Sequence, residues 1–101
     1  MARFLVTYHA GDMPQDPESI AQARRAFVQW AAKTGAALAD VGAPVRSATT
    51  ISSDGIHDGA LAGPFMGWSV IEAEDGNAAV RLLVDHPFLS RGGILQLSEP
   101  I

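Results

Sequence analysis

The hydrophobic pattern of the first third of the chain predicts a strand followed by a helix. Residues 3–8 (RFLVTY) form a short β-branched and aromatic run bounded by a Gly-Asp-Met-Pro loop. Asp16 or Ser19 can cap the helix that follows. Pro17 suits its first turn, and Gly35 ends it. The residues that recur at helical spacing on its inner face are Ile20, Ala23, Phe27, Trp30 or Ala31, and Thr34.

The middle of the chain is less regular. Residues 36–53 read as extended chain broken at Gly42 and Pro44, so we expect a second strand there, with a bulge or as two short pieces. Residues 54–64 (DGIHDGALAGP) are rich in glycine and turn-like, and they predict a loop. The apolar run of residues 66–73 predicts a third strand.

The last third of the chain predicts a second helix and a last strand. Asp75 is the expected cap of the helix, and Pro87 is expected to stop it. Its inner face would carry Ala79, Leu82 and Leu83. Residues 94–99 (ILQLSE) predict the final strand.

The element order β-α-β-β-α-β predicts an α+β protein of the ferredoxin-like class, with a four-stranded antiparallel sheet and both helices on one face. A sheet covered on one face should alternate apolar with polar residues, but these strands are apolar on both faces. In the first strand, Phe4, Val6 and Tyr8 lie opposite Leu5. We therefore predict a homodimer or higher oligomer, packed sheet face to sheet face around a twofold axis.

Composition narrows the functional classes. The 101 residues are 48% apolar and 18% charged, with a formal net charge of -4, which fits one domain spanning residues 1–101. The seven basic residues form no stripe, so we expect no nucleic-acid partner. No apolar run approaches the length of a membrane span, and the N-terminus lacks a signal-peptide pattern. The composition predicts a soluble, cytoplasmic protein with no membrane partner.

The order of these features resembles the YCII-related proteins, the group that includes the DGPF-domain proteins. Residues 67–101 carry most of the likeness, from GWSVIEAEDGN through VDHPF to the Gly-opened last strand. RFLVTYHAG and LADVGAPV resemble that family's first strand and its Gly-Pro stretch. The resemblance implies a dimeric α+β barrel and lyase- or isomerase-like chemistry on small organic molecules.

This sequence departs from the family's pattern at two places. Some members carry a proposed catalytic histidine on the first helix, paired with an acid, but residues 18–35 contain no histidine. The tetrapeptide that names the DGPF branch appears here as Ala-Gly-Pro-Phe at residues 62–65, without its aspartate. The histidine–acid pair therefore does not carry over to this chain.

Two histidines are the candidate catalytic residues. His86 follows Leu82 and Leu83 at helical spacing, so the inner face of the second helix would turn it toward the sheet. An imidazole there, with a pKa near neutrality, would act as general acid or base. The alternative is a structural histidine stabilised by the helix dipole. His9, at the end of the first strand, is either a pocket-mouth residue with acid-base function or a loop histidine.

Four further residues are candidate ligand contacts. Tyr8 precedes His9 in the sequence, and strand alternation places Tyr8 on the same face as Phe4 and Val6. Trp68 and Glu72 share one face of the third strand, where they would line an apolar pocket carrying one carboxylate. Alternatively, Trp68 fills a dimer interface and Glu72 pairs with a basic residue, either Arg3 or Arg81. Arg91 would hold a substrate carboxylate bidentately, or else is a solvated turn residue.

The remaining histidine, His57, lies between Asp54 and Asp58. These are metal-binding residue types, but the spacing fits no zinc template, so we predict no metal site. We expect a homodimer that binds a small organic ligand, with cofactor-independent lyase- or isomerase-like chemistry if it is catalytic. The alternative function is a non-catalytic ligand-binding or oligomeric interaction module.

Overall fold

Four strands form one antiparallel sheet, and two helices lie against one side of it. The computed structural model describes residues 1–59 and 65–101. Its elements in chain order are β1 (Ala2–His9), α1 (Pro17–Thr34), β2 (Leu38–Pro44), β3 (Thr49–Ser52), β4 (Gly55–Asp58), β5 (Phe65–Ala73), α2 (Gly76–Leu83) and β6 (Ile94–Ser98), with short 3-10 helices at Gly35–Ala37 and Pro87–Arg91. The strand order is β2-β5-β1-β6, and every neighbouring pair is antiparallel. The predicted α+β, ferredoxin-like class is confirmed.

Both helices begin at the predicted caps. The Asp16 carboxylate accepts a hydrogen bond from the Ser19 backbone N–H at 2.9 Å, at the start of α1. The Asp75 carboxylate accepts one from the Ala78 N–H at 2.8 Å, at the start of α2. Gly35, with a positive φ of 64°, ends α1. Local sequence signals therefore determine where each helix starts.

The helix-covered side of the sheet carries the core. In the ladder between β1 and β5, Phe4 stands opposite Ile71 and Val6 opposite Ser69, and all four are buried. The other buried apolar residues are Tyr8, Trp30, Ala73, Ala79, Leu83 and Phe88. Since α1 and α2 both contribute to this cluster, the two helices cover the same face.

The other side of the sheet, which we call the open side, has no such cover within the described residues. Thr7 stands opposite Trp68, and Leu5 stands opposite Val70. Leu5 is 42% exposed and Ile94 is 58% exposed, while Trp68 and Val70 are half-buried. The open side is thus apolar as well as accessible.

The predicted loop over residues 54–64 is wrong in its first part, because β4 pairs with β3 in a separate two-stranded sheet. Residues 60–64 lie outside the described residues, and with them most of the Ala-Gly-Pro-Phe tetrapeptide. The irregular second strand is confirmed as β2, whose register against β5 shifts twice. Ile51 and Ile56 face each other across the hairpin, and both are exposed.

The second helix ends earlier than Pro87 predicts. α2 stops at Leu83, and Pro87 instead opens the 3-10 helix Pro87–Arg91. His86 has the extended backbone angles φ −61° and ψ 132°. The physical reason is steric, because the ring of a proline disfavours helical geometry in the residue before it. No described helix is long and apolar enough to cross a membrane.

Candidate ligand cavity

A cavity of about 410 Å³ opens between α1, the start of β5 and the 3-10 helix Pro87–Arg91. Most of its wall is apolar, with Phe27 of α1, Met66 of β5 and Phe88 of the 3-10 helix contributing. Among the described lining residues whose side chains lie on the helix side of the sheet, Tyr8, Arg24, His86 and Arg91 carry polar or charged groups. No described lining residue carries a carboxylate. The cavity therefore has an aromatic wall, a few hydrogen-bonding groups and two cationic side chains.

His86 lies at this wall because it caps the 3-10 helix. Its Nδ1 accepts a hydrogen bond from the Phe88 backbone N–H at 3.0 Å, as an N-cap side chain does. The ring is 4% exposed and packs among three aromatic rings, with centroids 4.3 Å from Trp30, 5.2 Å from Tyr8 and 5.8 Å from Phe27. The inward orientation predicted for His86 is thus present. Its cause is the cap rather than the register of α2.

The protonation of His86 follows from this environment. Burial lowers the pKa of the imidazole to about 4, and the nearby Arg91 guanidinium adds to the lowering, while Asp85 opposes it. The ring is therefore neutral at physiological pH. Because Nδ1 accepts from Phe88, the hydrogen-bond network assigns the ring proton to Nε2. The sequence predicts acid-base catalysis by an imidazole with a pKa near neutrality, but burial lowers the pKa of His86 well below that.

The Nε2–H of His86 is a buried donor without a protein acceptor in the part of the chain that the structure describes. A buried polar group left without a partner costs on the order of 1–3 kcal/mol. The neighbouring side chains are aromatic rings, which offer no strong acceptor apart from the Tyr8 hydroxyl. A hydrogen-bond acceptor supplied by a bound molecule would remove this cost.

Tyr8 and Ser69 form a buried polar chain behind the cavity. The Ser69 hydroxyl donates to the Val41 carbonyl at 2.8 Å, and Tyr8 Oη lies 2.6 Å from Ser69 Oγ. Since the single serine proton goes to Val41, Tyr8 donates to Ser69 and keeps its own lone pairs as acceptors. Burial raises the pKa of the Tyr8 phenol more than the Ser69 hydrogen bond lowers it. Tyr8 is therefore a neutral phenol.

The two arginines stand at different depths. Arg91 is half-buried, and its guanidinium carbon lies 5.2 Å from the centroid of the Phe88 ring, a cation–π geometry. Arg24 is exposed on α1. The ion pairs among the described residues are Arg3–Glu72 and Lys33–Asp85, so neither cavity arginine has a carboxylate partner there.

The Phe88 ring, which lies beneath Arg91, is enclosed by two glycines. A Cβ at Gly11 would lie 2.4 Å from the ring, and one at Gly93 would lie 2.2 Å from it. Ala10, with the uncommon positive φ of 62°, turns the chain from β1 toward this contact. The backbone on both sides of the ring thus approaches closely enough to hold it in place.

His9 lies on the opposite side of the sheet from His86. Its Nε2 is 2.7 Å from the Thr7 hydroxyl, and its ring is 6.1 Å from that of Phe65. Thr7 and His9 alternate with the buried Val6 and Tyr8, so they face the open side. The two candidate catalytic histidines therefore do not share the cavity.

The other predicted site residues also separate. Arg91 lines the cavity with Tyr8 and His86. Trp68 borders it as well, but it alternates with the buried Gly67 and Ser69 along β5, so its indole faces the open side. Glu72 does not, because its carboxylate pairs with the Arg3 guanidinium at 3.1 Å, as the alternative reading expected. His57 is exposed on β4, and residues 1–59 and 65–101 contain no group of three potential metal-ligating side chains.

Sequence reasoning missed Arg24 in the cavity lining and Ser69 behind it, as well as the reason why His86 points inward. Arg24 follows the inner-face residue Ala23 directly, so it was not distinguishable from a solvated helix charge. Ser69 is a small polar residue whose role depends on Tyr8, 61 positions away in the chain. The role of His86 as a cap had a local signal in Pro87, since the residue before a proline is extended.

Comparisons with known proteins show similarity to a solved structure. No family model matches the sequence, and no curated protein matches it. Among solved structures, the chain is similar to 5-chloro-2-hydroxyhydroquinone dehydrochlorinase from Burkholderia phenoliruptrix AC1100 in complex with 2,5-dihydroxybenzoquinone. The identity is 19%, the match covers 93% of this chain and 90% of that one, and the TM-score is 0.49. A likeness of this degree transfers no function, and the YCII-related resemblance stays a prediction.

Proposed function

We propose that this protein binds a small organic molecule in the cavity lined by Tyr8, Phe27, His86 and Phe88. The observation that carries the proposal is the buried Nε2–H of His86, which has no acceptor among the described residues. The cavity volume of about 410 Å³ falls within the range of small-molecule sites. An apolar wall with a few fixed polar groups is also the usual composition of such sites.

The proposal includes a homodimer, joined through the open side of the sheet. Leu5, Phe65 and Ile94 are exposed there, and Trp68 and Val70 are half-buried. A twofold axis would set this apolar surface against the same surface of a second copy, as two packed sheets require. The arrangement agrees with the dimeric α+β barrel that the family resemblance implies.

A second candidate function is cofactor-independent lyase- or isomerase-like catalysis, favoured by the packing of the His86 ring against the Tyr8 ring, whose centroids lie 5.2 Å apart. A neutral imidazole can polarise a carbonyl or stabilise an enolate oxygen by hydrogen bonding without accepting a proton. Such a reaction also needs a base, and no described lining residue has a carboxylate. Binding without catalysis is therefore the function that the geometry supports best.

A ligand screen against matched variants tests the binding proposal. His86→Asn keeps an acceptor for the Phe88 N–H and removes the outer donor, whereas His86→Gln keeps a donor near the Nε2 position. We expect fragments that bind the wild-type protein to lose affinity in His86→Asn and to recover part of it in His86→Gln, as read by NMR titration. His9→Asn is the control on the opposite side of the sheet. Equal binding to all four proteins would refute the assignment of the site.

Sedimentation equilibrium tests the dimer independently of any ligand. The proposal expects a mass of twice the 10.6 kDa of one chain. A mass of one chain at micromolar concentration would contradict it.

A further inference from the structure

The charges around the cavity are one-sided, although the protein as a whole is acidic. The formal net charge of the chain is -4, with eleven acidic and seven basic residues. The charged side chains in the described cavity lining are nevertheless Arg24 and Arg91, both cationic. The cavity lining is thus opposite in sign to the chain as a whole.

We propose that the ligand is a small organic anion, in which a carboxylate or another oxyanion is carried on a compact apolar skeleton. This inference rests on the proposed function above, because it specifies the molecule that the cavity binds. Arg91 and Arg24 would bind the anionic oxygens, and the Nε2–H of His86 would donate to an oxygen of the same molecule.

Arg91 is placed for this role by its packing. Its guanidinium lies against the Phe88 ring, which is itself buried and enclosed by Gly11 and Gly93. A guanidinium held over an aromatic face keeps its N–H groups directed outward, and its planar fork matches a carboxylate. The alternative reading of Arg91 as a solvated turn residue does not explain why the side chain lines the cavity half-buried.

The two donors can act on one molecule because they belong to one short segment. His86 caps the 3-10 helix that contains Phe88 and ends at Arg91. The Tyr8 ring packs against both His86 and Phe88, at centroid distances of 5.2 and 5.4 Å, and the Arg91 guanidinium carbon lies 5.2 Å from the Phe88 centroid. An anion bound between them would satisfy the buried Nε2–H and provide Arg91 with a counter-ion.

The apolar skeleton follows from the rest of the wall. Phe27, Met66 and Phe88 present aromatic or thioether surface, and Tyr8 adds to it. A skeleton of ring size buries its carbon surface there at about 25 cal/mol per Å² of apolar area. A strongly hydrated ion such as sulfate would gain nothing from this wall, which argues for an organic anion.

Matched ligands that differ only in charge test the proposal. The probes are benzoate, benzamide and benzylamine, together with the corresponding cyclohexyl and 2-naphthyl compounds, titrated by NMR at about pH 7. We expect the carboxylates to bind at least about tenfold more tightly than the amides, and the amines not to bind. We also expect carboxylate affinity to fall between about 50 and about 500 mM NaCl, and amide affinity to stay constant.

Arginine variants identify the source of the preference. Arg91→Gln and Arg24→Gln each keep a long polar side chain and remove the charge, and Arg81→Gln is a control on the exposed face of α2, outside the cavity. We expect the ratio of carboxylate affinity to amide affinity to fall below about threefold in Arg91→Gln. In Arg24→Gln the ratio should decrease by a smaller amount. The ratio should remain unchanged in Arg81→Gln. Should Arg91→Gln fail to fold, exposed Arg24 still supplies the test.

The outcomes separate this inference from the proposal on which it rests. Equal binding of acids, amides and amines would overturn the anion assignment and leave small-molecule binding intact. A preference for amines would overturn it as well. Absence of binding by every probe, at concentrations up to about 10 mM, would refute the cavity as a small-molecule site and this inference with it.

Discussion

The two sides of the central sheet place a histidine in different environments. On the helix-covered side, His86 is buried among Trp30, Tyr8 and Phe27, and its Nδ1 is occupied by a backbone N–H. On the open side, His9 is partly exposed and shares a hydrogen bond with the Thr7 hydroxyl. Tyr8 and His9 are sequence neighbours, yet they face different environments because successive strand residues point to opposite faces.

The protonation state and the hydrogen bonds of a histidine depend on what surrounds its ring. The helix side produces a neutral imidazole with one unused donor. The open side, an apolar surface next to a partly exposed histidine, is suited to packing against another sheet. We expect ligand binding and assembly to divide between the two sides, and the following predictions test that division.

The largest effect is expected at Gly42, where the edge strand β2 meets the cavity. Its φ is +72°, and an added Cβ would lie 1.8 Å from the carbonyl oxygen of Trp68. We expect Gly42→Ala to lower the free energy of unfolding by at least about 3 kcal/mol, measured by urea denaturation. Gly76→Ala is the control, because nothing lies within 4 Å of its Cβ position and it opens α2. It should change stability by less than about 1 kcal/mol. Similar losses in both variants would contradict the close approach at Gly42.

The next effect concerns the open side. We expect Leu5→Arg to raise the dimer dissociation constant by at least about 100-fold, because it places a charge where two apolar sheets would meet. Val80→Arg, on the exposed face of α2, should leave the constant unchanged. Sedimentation velocity over a concentration series measures both. A dimer that survives Leu5→Arg but dissociates in Val80→Arg would move the interface to the helix side.

The pH dependence of stability sharpens the contrast between the histidines. The pKa of His86 is about 4 in the folded protein and 6.5 in the unfolded chain, so the unfolded chain binds a proton first as pH falls. The free energy of unfolding should therefore decrease between about pH 6.5 and 4, by up to about 1.4 kcal/mol per pH unit, and the contribution of His86 should level off below. The pKa values of Asp16 and Asp85 are lowered from 3.8, so these two carboxylates affect the free energy of unfolding mainly below about pH 3.8.

Two variants test whether His86 causes this pH dependence of the free energy of unfolding. His86→Asn should remove the decrease in stability between about pH 6.5 and 4, while His9→Asn should retain it. Denaturant titrations at several pH values give the comparison. If His9→Asn flattened the profile and His86→Asn did not, the two environments would be assigned to the wrong histidines.

The smallest expected effect is the difference in stability between variants that lack the Tyr8 hydroxyl and the Thr7 hydroxyl. Tyr8→Phe removes the buried hydrogen bond to Ser69 and should cost about 1–2 kcal/mol. Thr7→Val removes the partly buried bond to His9 and should cost less than about 1 kcal/mol. Thermal unfolding of both variants measures the difference. A greater loss in Thr7→Val would show that the open side is the more tightly packed of the two in solution.

Much of the fold was predictable because its signals are local. Asp16 and Gly35 define the ends of α1 through capping chemistry, and Asp75 does the same at the start of α2. The β3-β4 hairpin was missed although Asp54-Gly55 is a typical turn signal between β-branched residues. Its Ile51 and Ile56 are exposed, so the alternation of buried and exposed positions that marks a sheet strand is absent there.

The site was only partly predictable because its members meet across the fold. His86 and Tyr8 were singled out from the sequence, but their contact joins the two ends of the chain. The pKa of His86 depends on Trp30 and Phe27 of α1, which cover its ring. A sequence pattern contains no information on which rings will bury an imidazole, so it suggested an ordinary pKa.

The central claim is that His86 presents a neutral Nε2–H to the cavity, and ring ¹⁵N chemical shifts of the labelled protein test it most directly. At about pH 7 we predict a protonated Nε2 and an unprotonated, hydrogen-bonded Nδ1, with no titration of this ring until the pH falls toward 4. Addition of a carboxylate probe should shift the Nε2 resonance. A ring that titrates near pH 6.5, or that carries its proton on Nδ1, would contradict the account.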